Sequence, residues 1–157
     1  MFKPELEVPS LELCKKLKEL GYPQNTGGWY WVFLEDKNEW VLCYCVKYSK
    51  LEDEIWSFWY NNLNEKPRYI HVWKSQRRTI KAPTVRELGE FFPSEVTCFR
   101  DFKRGFLCEY ENRQENIAQS FWEDTEANAR AKMLIWLIEN GYVRFENERM
   151  YKNFKKS

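Results

Sequence analysis

The stretch from Thr125 to Gly141 constrains the fold more than any other part of this sequence. Thr125 or Asp124 can cap the first turn of a helix, and Asn140-Gly141 can take the left-handed conformation that ends one. The apolar residues between them recur at helical spacing and would form one stripe: Ala127, Ala131, Leu134, Ile135 and Ile138. The pattern predicts a largely covered helix, and we expect strands of the molecule to pack on it.

Two further helices are indicated by their capping residues. Ser10 can cap the run L-E-L-C-K-K-L-K-E-L, which would end at Gly21. Thr84 and Glu87 have the spacing of a capping box, in which each side chain satisfies the other's free backbone amide. Pro93 limits this second helix to a short one. Residues 1–9 are expected to be an extended lead-in to the first helix.

Aromatic and β-branched runs predict the strands. Residues 29–34 and 40–47 are separated by a short polar turn and should form an antiparallel hairpin, central in its sheet because both faces are apolar. Further strands are expected at 69–74, 79–80, 95–99, 105–111 and 117–122, and residues 142–145 should add either a short strand or an apolar tuck. Residues 50–66 fit a helix or a strand, and we favour an irregular or helical insert. Residues 148–157 are charged and are expected to be frayed or weakly helical.

Taken together, these elements predict a single α+β domain over residues 1–157. Its centre would be a mainly antiparallel, aromatic-rich sheet with about three helices packed largely on one side. With eight Trp, nine Tyr and eleven Phe, a core of this size cannot hide every ring. Some of the rings should therefore lie exposed, either as a binding surface or as the uncovered side of the sheet.

Charge and cysteine content limit the class of partner and the compartment. Lys and Arg number 25 against 24 Asp and Glu, so no global charge attracts double-stranded nucleic acid or a membrane, and no run of 18 apolar residues is present. The five cysteines are odd in number, form no C-x-x-C and follow no signal peptide, which favours thiols in a reducing cytoplasm. Cys43 and Cys45 would share one strand face, but His71 is the sole histidine, so neither a metal nor another cofactor is expected.

The sequence gives little support for catalysis. It contains none of the phosphate-binding, dinucleotide, zinc-protease or serine-hydrolase motifs, and we assign no catalytic residue. A nucleophile would need His71 as its imidazole base, and a single strand histidine is more typical of a structural hydrogen bond. A carboxylate-based enzyme remains an alternative, because scattered Asp and Glu can meet in space.

The most suggestive region for binding runs from residue 56 to residue 78, where aromatic and basic side chains alternate. Such a mixture can stack a base and hold a phosphate, or can anchor a protein partner. It is equally typical of an aromatic sheet edge whose basic turns keep it soluble. The predicted binding residues are Trp56, Trp59, Tyr60, Arg68, His71, Trp73, Lys74, Arg77 and Arg78.

Three blocks carry a resemblance to a known group of proteins. They are S-L-E-L-C-K-K-L-K-E-L-G-Y-P-Q, I-K-A-P-T-V-R-E-L-G-E-F-F-P and T-E-A-N-A-R-A-K-M-L-I-W-L-I-E-N-G-Y, under a third of the chain. Each block resembles the capped helices of small bacteriophage and prophage proteins, most of them uncharacterised. The resemblance implies a phage origin, the host cytoplasm, and binding of a host protein in host takeover or counter-defence. It carries over no catalytic or ligand residue, and a nucleotide-sequestering protein is the alternative.

Overall fold

The computed structural model describes residues 3–47, 55–62, 64–73, 78–146 and 149–152, and it confirms the α+β class. The helices are α1 (Pro4–Glu7), α2 (Leu11–Glu19), α3 (Val85–Gly89) and α4 (Glu126–Glu139). The strands are β1 (Gly28–Leu34), β2 (Glu39–Lys47), β3 (Ile55–Tyr60), β4 (Arg68–Trp73), β5 (Thr79–Lys81), β6 (Val96–Asp101), β7 (Gly105–Asn112), β8 (Ile117–Glu123), β9 (Val143–Glu146) and β10 (Arg149–Lys152). None of the described helices is both long enough and apolar enough to span a bilayer.

The helices begin and end where their capping residues predicted. The hydroxyls of Ser10, Thr84 and Thr125 each accept a hydrogen bond from the backbone amide three residues later. The Glu87 carboxylate also accepts from the Thr84 amide, which completes the capping box. At the other end of α4, Gly141 takes a positive φ of 77°, a conformation that costs glycine little.

The strands divide into separate sheets instead of the one sheet expected. A five-stranded sheet has the order β4-β3-β2-β1-β5, a three-stranded sheet has the order β6-β7-β8, and β9 pairs with β10. Every neighbouring pair is antiparallel. Helix α4 packs on β7 and β8, with α2 and α3 beside it. Helix α4 therefore supports the three-stranded sheet, and α2 connects α4 to β5 of the five-stranded sheet.

The five-stranded sheet curls around its own inner face. Strand β2 pairs with β1 along most of its length and with β3 near its end, and a register shift lies between Cys45 and Lys47. A bulge of this kind bends a strand and lets it pass from one layer to the next. The buried cluster on the inner face comes from β1 to β3, with β4 packed against it: Tyr30, Val32, Leu34, Cys43, Cys45, Trp56, Phe58, Tyr60, Ile70 and Val72.

A second core covers the opposite face of the β1–β2 hairpin. Residues of the lead-in and of α2, among them Val8 and Cys14, pack there with Trp29, Trp31 and Ile80. The hairpin thus packs on both faces, as its apolar pattern predicted, except at the end of β2, where Tyr44 and Val46 are exposed. The third and largest core lies between α4 and the three-stranded sheet, where α4 contributes Ala131, Met133, Leu134 and Leu137 at its buried positions.

A buried cation joins the five-stranded sheet to helix α3. The Lys81 side chain at the end of β5 is 0% exposed, and its Nζ donates to the carbonyl oxygen of Gly27. The same Nζ lies 3.0 Å from Oε2 of Glu87 in α3 and 5.4 Å from the centre of the Tyr30 ring. Its backbone amide donates to Gln24 Oε1 at 2.9 Å. A buried charge is tolerated only when it is paired in this way, so these contacts fix α3 against the five-stranded sheet.

Three local predictions were wrong. Residues 55–60 form strand β3 and not a helical insert, because β2 and β4 supply partners on both sides; residues 50–54 and 63 lie outside the described residues. Pro4–Glu7 is a short helix in a lead-in predicted to be extended, since Pro4 presets the first helical φ. Arg149–Lys152 is a strand paired with β9, where a frayed or weakly helical tail was expected.

Replacing Lys81 by alanine should destabilise the fold by about 3 kcal/mol, because it leaves the Glu87 carboxylate and the Gly27 carbonyl without their shared partner. Urea denaturation followed by circular dichroism measures this free energy of unfolding. The control is Arg113→Ala, which removes an exposed ion pair with Glu111 and should change little. Equal stabilities of the two variants would show that the buried cation does not hold α3 to the five-stranded sheet.

Candidate binding surface

Strand β3 presents its side chains alternately to the core and to solvent. Trp56, Phe58 and Tyr60 point inward, and the Trp56 and Phe58 rings pack edge-on against Tyr30 at centroid distances of 5.4 and 5.7 Å. Trp59 lies between them in sequence and points the other way, as period-two geometry requires. Two predicted binding residues, Trp56 and Tyr60, are therefore core residues and are not available on the surface.

On the outer face, one row of aromatic rings crosses four strands. The register pairs Trp29 with Tyr44, Tyr44 with Trp59, and Trp59 with Tyr69. The ring centroids of Trp29 and Tyr44 lie 5.2 Å apart, and those of Trp59 and Tyr69 lie 4.8 Å apart. Cross-strand aromatic pairs of this kind stabilise a sheet. The row also leaves Tyr44 43% exposed and Tyr69 58% exposed, so it is open to solvent at two places.

The next positions along β4 extend this exposed surface. Trp73 is 50% exposed, and His71 is exposed beside it. His71 Nδ1 lies 2.8 Å from the hydroxyl oxygen of Ser57 across the strand pair, which fixes the imidazole orientation. The His71 ring stacks with Tyr69 at a centroid distance of 6.3 Å. We name this region the outer ring surface and define it by Tyr44, Val46, Ser57, Trp59, Tyr69, His71 and Trp73.

The outer ring surface carries no charged side chain among the residues that define it. Arg68, which the sequence placed in the same site, lies on the inner-face side of β4, with its guanidinium 3.2 Å from Asp36 and 5.9 Å from the centre of the Tyr60 ring. Lys74 and Arg77 lie outside the described residues. The structure thus separates Arg68 from the rings that the sequence had placed with it.

The predicted binding residue Tyr60 belongs to a polar network at the β1–β2 turn. Its hydroxyl donates to Glu65 Oε2 at 2.7 Å, and Lys37 Nζ bonds the same carboxylate oxygen. The Lys37 ammonium and the Tyr60 hydroxyl together hold the pKa of Glu65 below its usual range, while the hydrogen bond to Glu65 raises the pKa of Lys37. These contacts link the β1–β2 turn to the β3–β4 loop, so the network is structural.

Curling of the sheet brings β4 close to β1, and a cleft of about 250 Å³ forms at the seam. Three predicted site residues line this seam cleft, namely His71, Trp73 and Arg78, together with Val32, Phe33, Glu35 and Val72. The Arg78 guanidinium lies 3.9 Å from the centre of the Phe33 ring, a cation–π contact that holds it at the edge of the cleft. The cleft therefore combines a ring, an imidazole, one cation and one carboxylate.

A second depression lies on the helical side of the molecule. It is wide and open, and it is lined by Glu7, Thr84, Val85, Arg86, Gly89, Glu90 and Arg130. The depression thus contains two carboxylates and two guanidinium groups. Arg130 is already held there, because it is 2.7 Å from Glu126 Oε2 and donates to the carbonyl of Val85. Within the described ranges, no group of three or more His, Cys, Asp or Glu side chains is placed to hold a metal ion.

Comparison with known proteins adds no assignment to this geometry. No protein-family model matches the chain, no curated protein is significantly similar to it, and no solved structure matches it.

Four members of the outer ring surface are not among the predicted binding residues: Val46, Ser57, Tyr69 and Tyr44. Of their two rings, Tyr44 lies outside the region from 56 to 78 altogether. It lies 25 residues before Tyr69 in the chain, and it joins the surface only through the pairing of β2 with β3. The alternation of inward and outward residues within β2 was the available signal, since Cys43 and Cys45 on either side of Tyr44 are both buried.

The two tryptophans of β3 provide a matched test of this geometry. Trp56→Ala should destabilise the protein by about 3–5 kcal/mol, because it opens a cavity in the inner core. Trp59→Ala should cost less than about 2 kcal/mol, because the Trp59 ring lies on the outer face and is only partly buried. Urea denaturation of both variants measures the difference. If Trp59→Ala cost as much as Trp56→Ala, the assignment of the two faces would be wrong.

Proposed function

We propose that this protein is a non-enzymatic accessory protein of bacteriophage or prophage origin that acts by binding a host protein through the outer ring surface. The observation that carries the proposal is the contiguity of exposed rings. Tyr44, Tyr69 and Trp73 come from two strands and expose 43–58% of their surface on one face of one sheet. A monomer rarely leaves such rings exposed together unless something covers them.

The chemistry of this surface favours a protein over a nucleic acid. Nucleic-acid binding depends on cations next to the stacking rings, since neutralised phosphates provide most of the affinity. The residues that define the outer ring surface include no Lys or Arg, and Arg68 is paired with Asp36 on the other side. Arg78 is the one described cation that lines a cleft with Trp73, and it lies against the Phe33 ring. Tyr and Trp are the residues that dominate protein–protein binding energy, because each combines a large apolar area with a polar tip.

The surface also indicates the kind of protein region that would bind it. None of its defining residues is Asp, Glu, Lys or Arg, and it offers donors in the Tyr44 and Tyr69 hydroxyls and the Trp73 indole N–H. A complementary partner surface would be apolar at its centre and would present hydrogen-bond acceptors, such as backbone carbonyls, to these three groups. The resemblance to phage proteins supports a host protein as the partner, with host takeover or counter-defence as the role.

The experiment compares paired variants for capture of the same bacterial protein. The tagged chain is incubated with bacterial lysate, the captured protein is identified and purified, and its affinity is then measured by calorimetry. Tyr69→Ala and Trp73→Ala should each weaken binding at least about 30-fold, the effect of losing about 2 kcal/mol at a central anchor. Phe102→Ala is the control, because Phe102 is 90% exposed on the other sheet and should leave the affinity unchanged.

The variants also separate failure of the surface from failure of the function. Equal affinity of Tyr69→Ala, Trp73→Ala and Phe102→Ala for the purified partner would exclude the outer ring surface as the binding site. Absence of any partner that survives purification and rebinding would argue against the protein-binding function itself. Melting temperatures close to that of the unaltered protein would establish that the surface variants are folded.

The seam cleft favours a second candidate function, the binding of a small ligand such as a nucleotide. Arg78 and His71 can contact an anionic group there, and Trp73 can stack on a planar ring. Its volume of about 250 Å³ is below the usual range of small-molecule pockets, so the base or the phosphate alone would fit inside. In the same calorimeter, nucleoside monophosphates should bind the unaltered chain and not Arg78→Ala if this candidate is correct.

The carboxylate-based enzyme has less support than either binding function. Its acids would be Glu7 and Glu90 in the helical depression, which is shallow and open to water. General acid–base chemistry is favoured in a site that excludes water around the reacting groups. Arg86 and Arg130 lie in the same wall and balance the two carboxylates, an arrangement equally typical of a solvated ion-pair network.

A further inference from the structure

The three-stranded sheet holds two thiols in direct contact. Cys98 in β6 and Cys108 in β7 are directly opposite each other in the antiparallel register, and their Sγ atoms lie 2.6 Å apart. Neither sulfur is in a disulfide. Residues that face each other across antiparallel strands have Cα separations of about 4.5–5.5 Å, within the range that a disulfide spans. The backbone therefore needs little movement for the two sulfurs to be joined.

The surroundings of the pair make its two members unequal. Cys108 is wholly buried against α4, whereas Cys98 is on the edge strand and is partly exposed. The hydrogen bond from the Cys108 thiol and the nearby Arg130 guanidinium lower the pKa of Cys98, while burial and the Glu126 carboxylate act in the opposite direction. The pKa of Cys108 is raised, chiefly by its contact with Cys98. A thiol that can ionise at an accessible position is the one an oxidant reaches first.

The other three cysteines provide an internal contrast. Cys14, Cys43 and Cys45 are buried in the two cores of the five-stranded sheet. Burial raises the pKa values of both Cys14 and Cys43 to about 12. Buried thiols with raised pKa values react slowly with oxidants and alkylating agents. Reactivity within this chain should therefore be confined to the Cys98–Cys108 pair.

We propose that Cys98 and Cys108 form an oxidisable dithiol site whose substrate is a small peroxide. The Cys98 sulfur attacks the peroxide oxygen, the O–O bond breaks, and the products are a sulfenic acid on Cys98 and one molecule of water when the oxidant is hydrogen peroxide. The Cys108 sulfur then attacks the Cys98 sulfur, the S–O bond breaks, and a second water leaves with the Cys108 proton. The two thiols lose two electrons and two protons in total, and these reduce the peroxide to two waters.

This cross-link would have a defined structural effect. It would join edge strand β6 to β7 beside the hydrogen-bonded ladder, on the face that packs against α4. The pair belongs to the three-stranded sheet and the outer ring surface to the five-stranded sheet, so the two sites share no strand. The oxidation is therefore independent of the proposed partner binding, and a partner variant such as Tyr69→Ala should oxidise like the unaltered chain.

The test treats the purified full chain with hydrogen peroxide, then denatures it, alkylates the remaining thiols and maps the peptides by mass spectrometry. We expect the five alkylatable thiols to fall to three, with the loss of two hydrogen atoms and a link between Cys98 and Cys108. Reductant should restore all five. A link between any other two cysteines, or five unreacted thiols at a peroxide concentration that oxidises free cysteine, would overturn the proposal.

Two variants test the order of the steps. In Cys108→Ser, the sulfenic acid on Cys98 has no resolving thiol and should be trapped by dimedone, which should not label the unaltered chain appreciably. In Cys98→Ser, the buried Cys108 should stay reduced under the same treatment. Rapid oxidation of Cys108 in the absence of Cys98 would contradict the proposed order. The peptide map of the unaltered chain decides the proposal if either variant fails to fold.

Discussion

Packing of Trp56 and Phe58 against Tyr30 is the constraint on which the binding surface depends. These three rings fill the inner face of the curled sheet, with centroid distances of 5.4–6.2 Å. Because Trp56 and Phe58 of β3 point into the core, the alternation of side chains along the strand turns Ser57 and Trp59 outward. Trp59 then pairs with Tyr44 on one side and with Tyr69 on the other. The exposed surface is thus the opposite side of a core that is fixed by burial.

A buried ion pair adds a polar contact between the two halves of the molecule, which α2 also connects through Cys14 in one core and Leu17 in another. Lys81 reaches from β5 to Glu87, and Glu87 at the same time closes the capping box of α3 with Thr84. Gly28 leaves room for the Lys81 ammonium, since a Cβ on Gly28 would lie 2.9 Å from it. One carboxylate therefore serves both the local helix start and the long-range contact. Leu11 and Cys14 of α2 pack on the outer face of the β1–β2 hairpin, whereas Tyr44, Tyr69 and Trp73 on the same face of the sheet stay exposed.

Structural features that depend only on residues close together in the sequence were predictable from it. Ser10, Thr84 and Thr125 identified the three helix starts, because a cap acts within one turn. Strand β3 was not predictable in the same way. Its apolar residues at positions 55, 58 and 59 fit a helix as well as a strand, and only pairing with β2 and β4 decides between them.

The set of predicted binding residues mixed two faces of the sheet for a related reason. Arg68 and Tyr69 are adjacent in sequence and fall on opposite faces of β4, so a window of mixed rings and cations does not describe a mixed surface. Alternation along the strand could have separated them. Tyr44 and the Cys98–Cys108 pair required the register between strands. That register is set by turn geometry and by burial of one face, which act over the whole sheet.

Oxidative footprinting of the aromatic side chains measures the central claim directly. Brief exposure to hydroxyl radicals, followed by peptide mapping, reports the solvent contact of each ring in the folded chain. The account predicts strong modification of Tyr44, Tyr69 and Trp73 and protection of Tyr30 and Trp56, with Phe102 as the exposed reference. Addition of a saturating partner should protect the first three and leave Phe102 modified. Modification of Trp56 as strong as that of Trp73 would contradict the account, because β3 would then not separate a packed face from an exposed one.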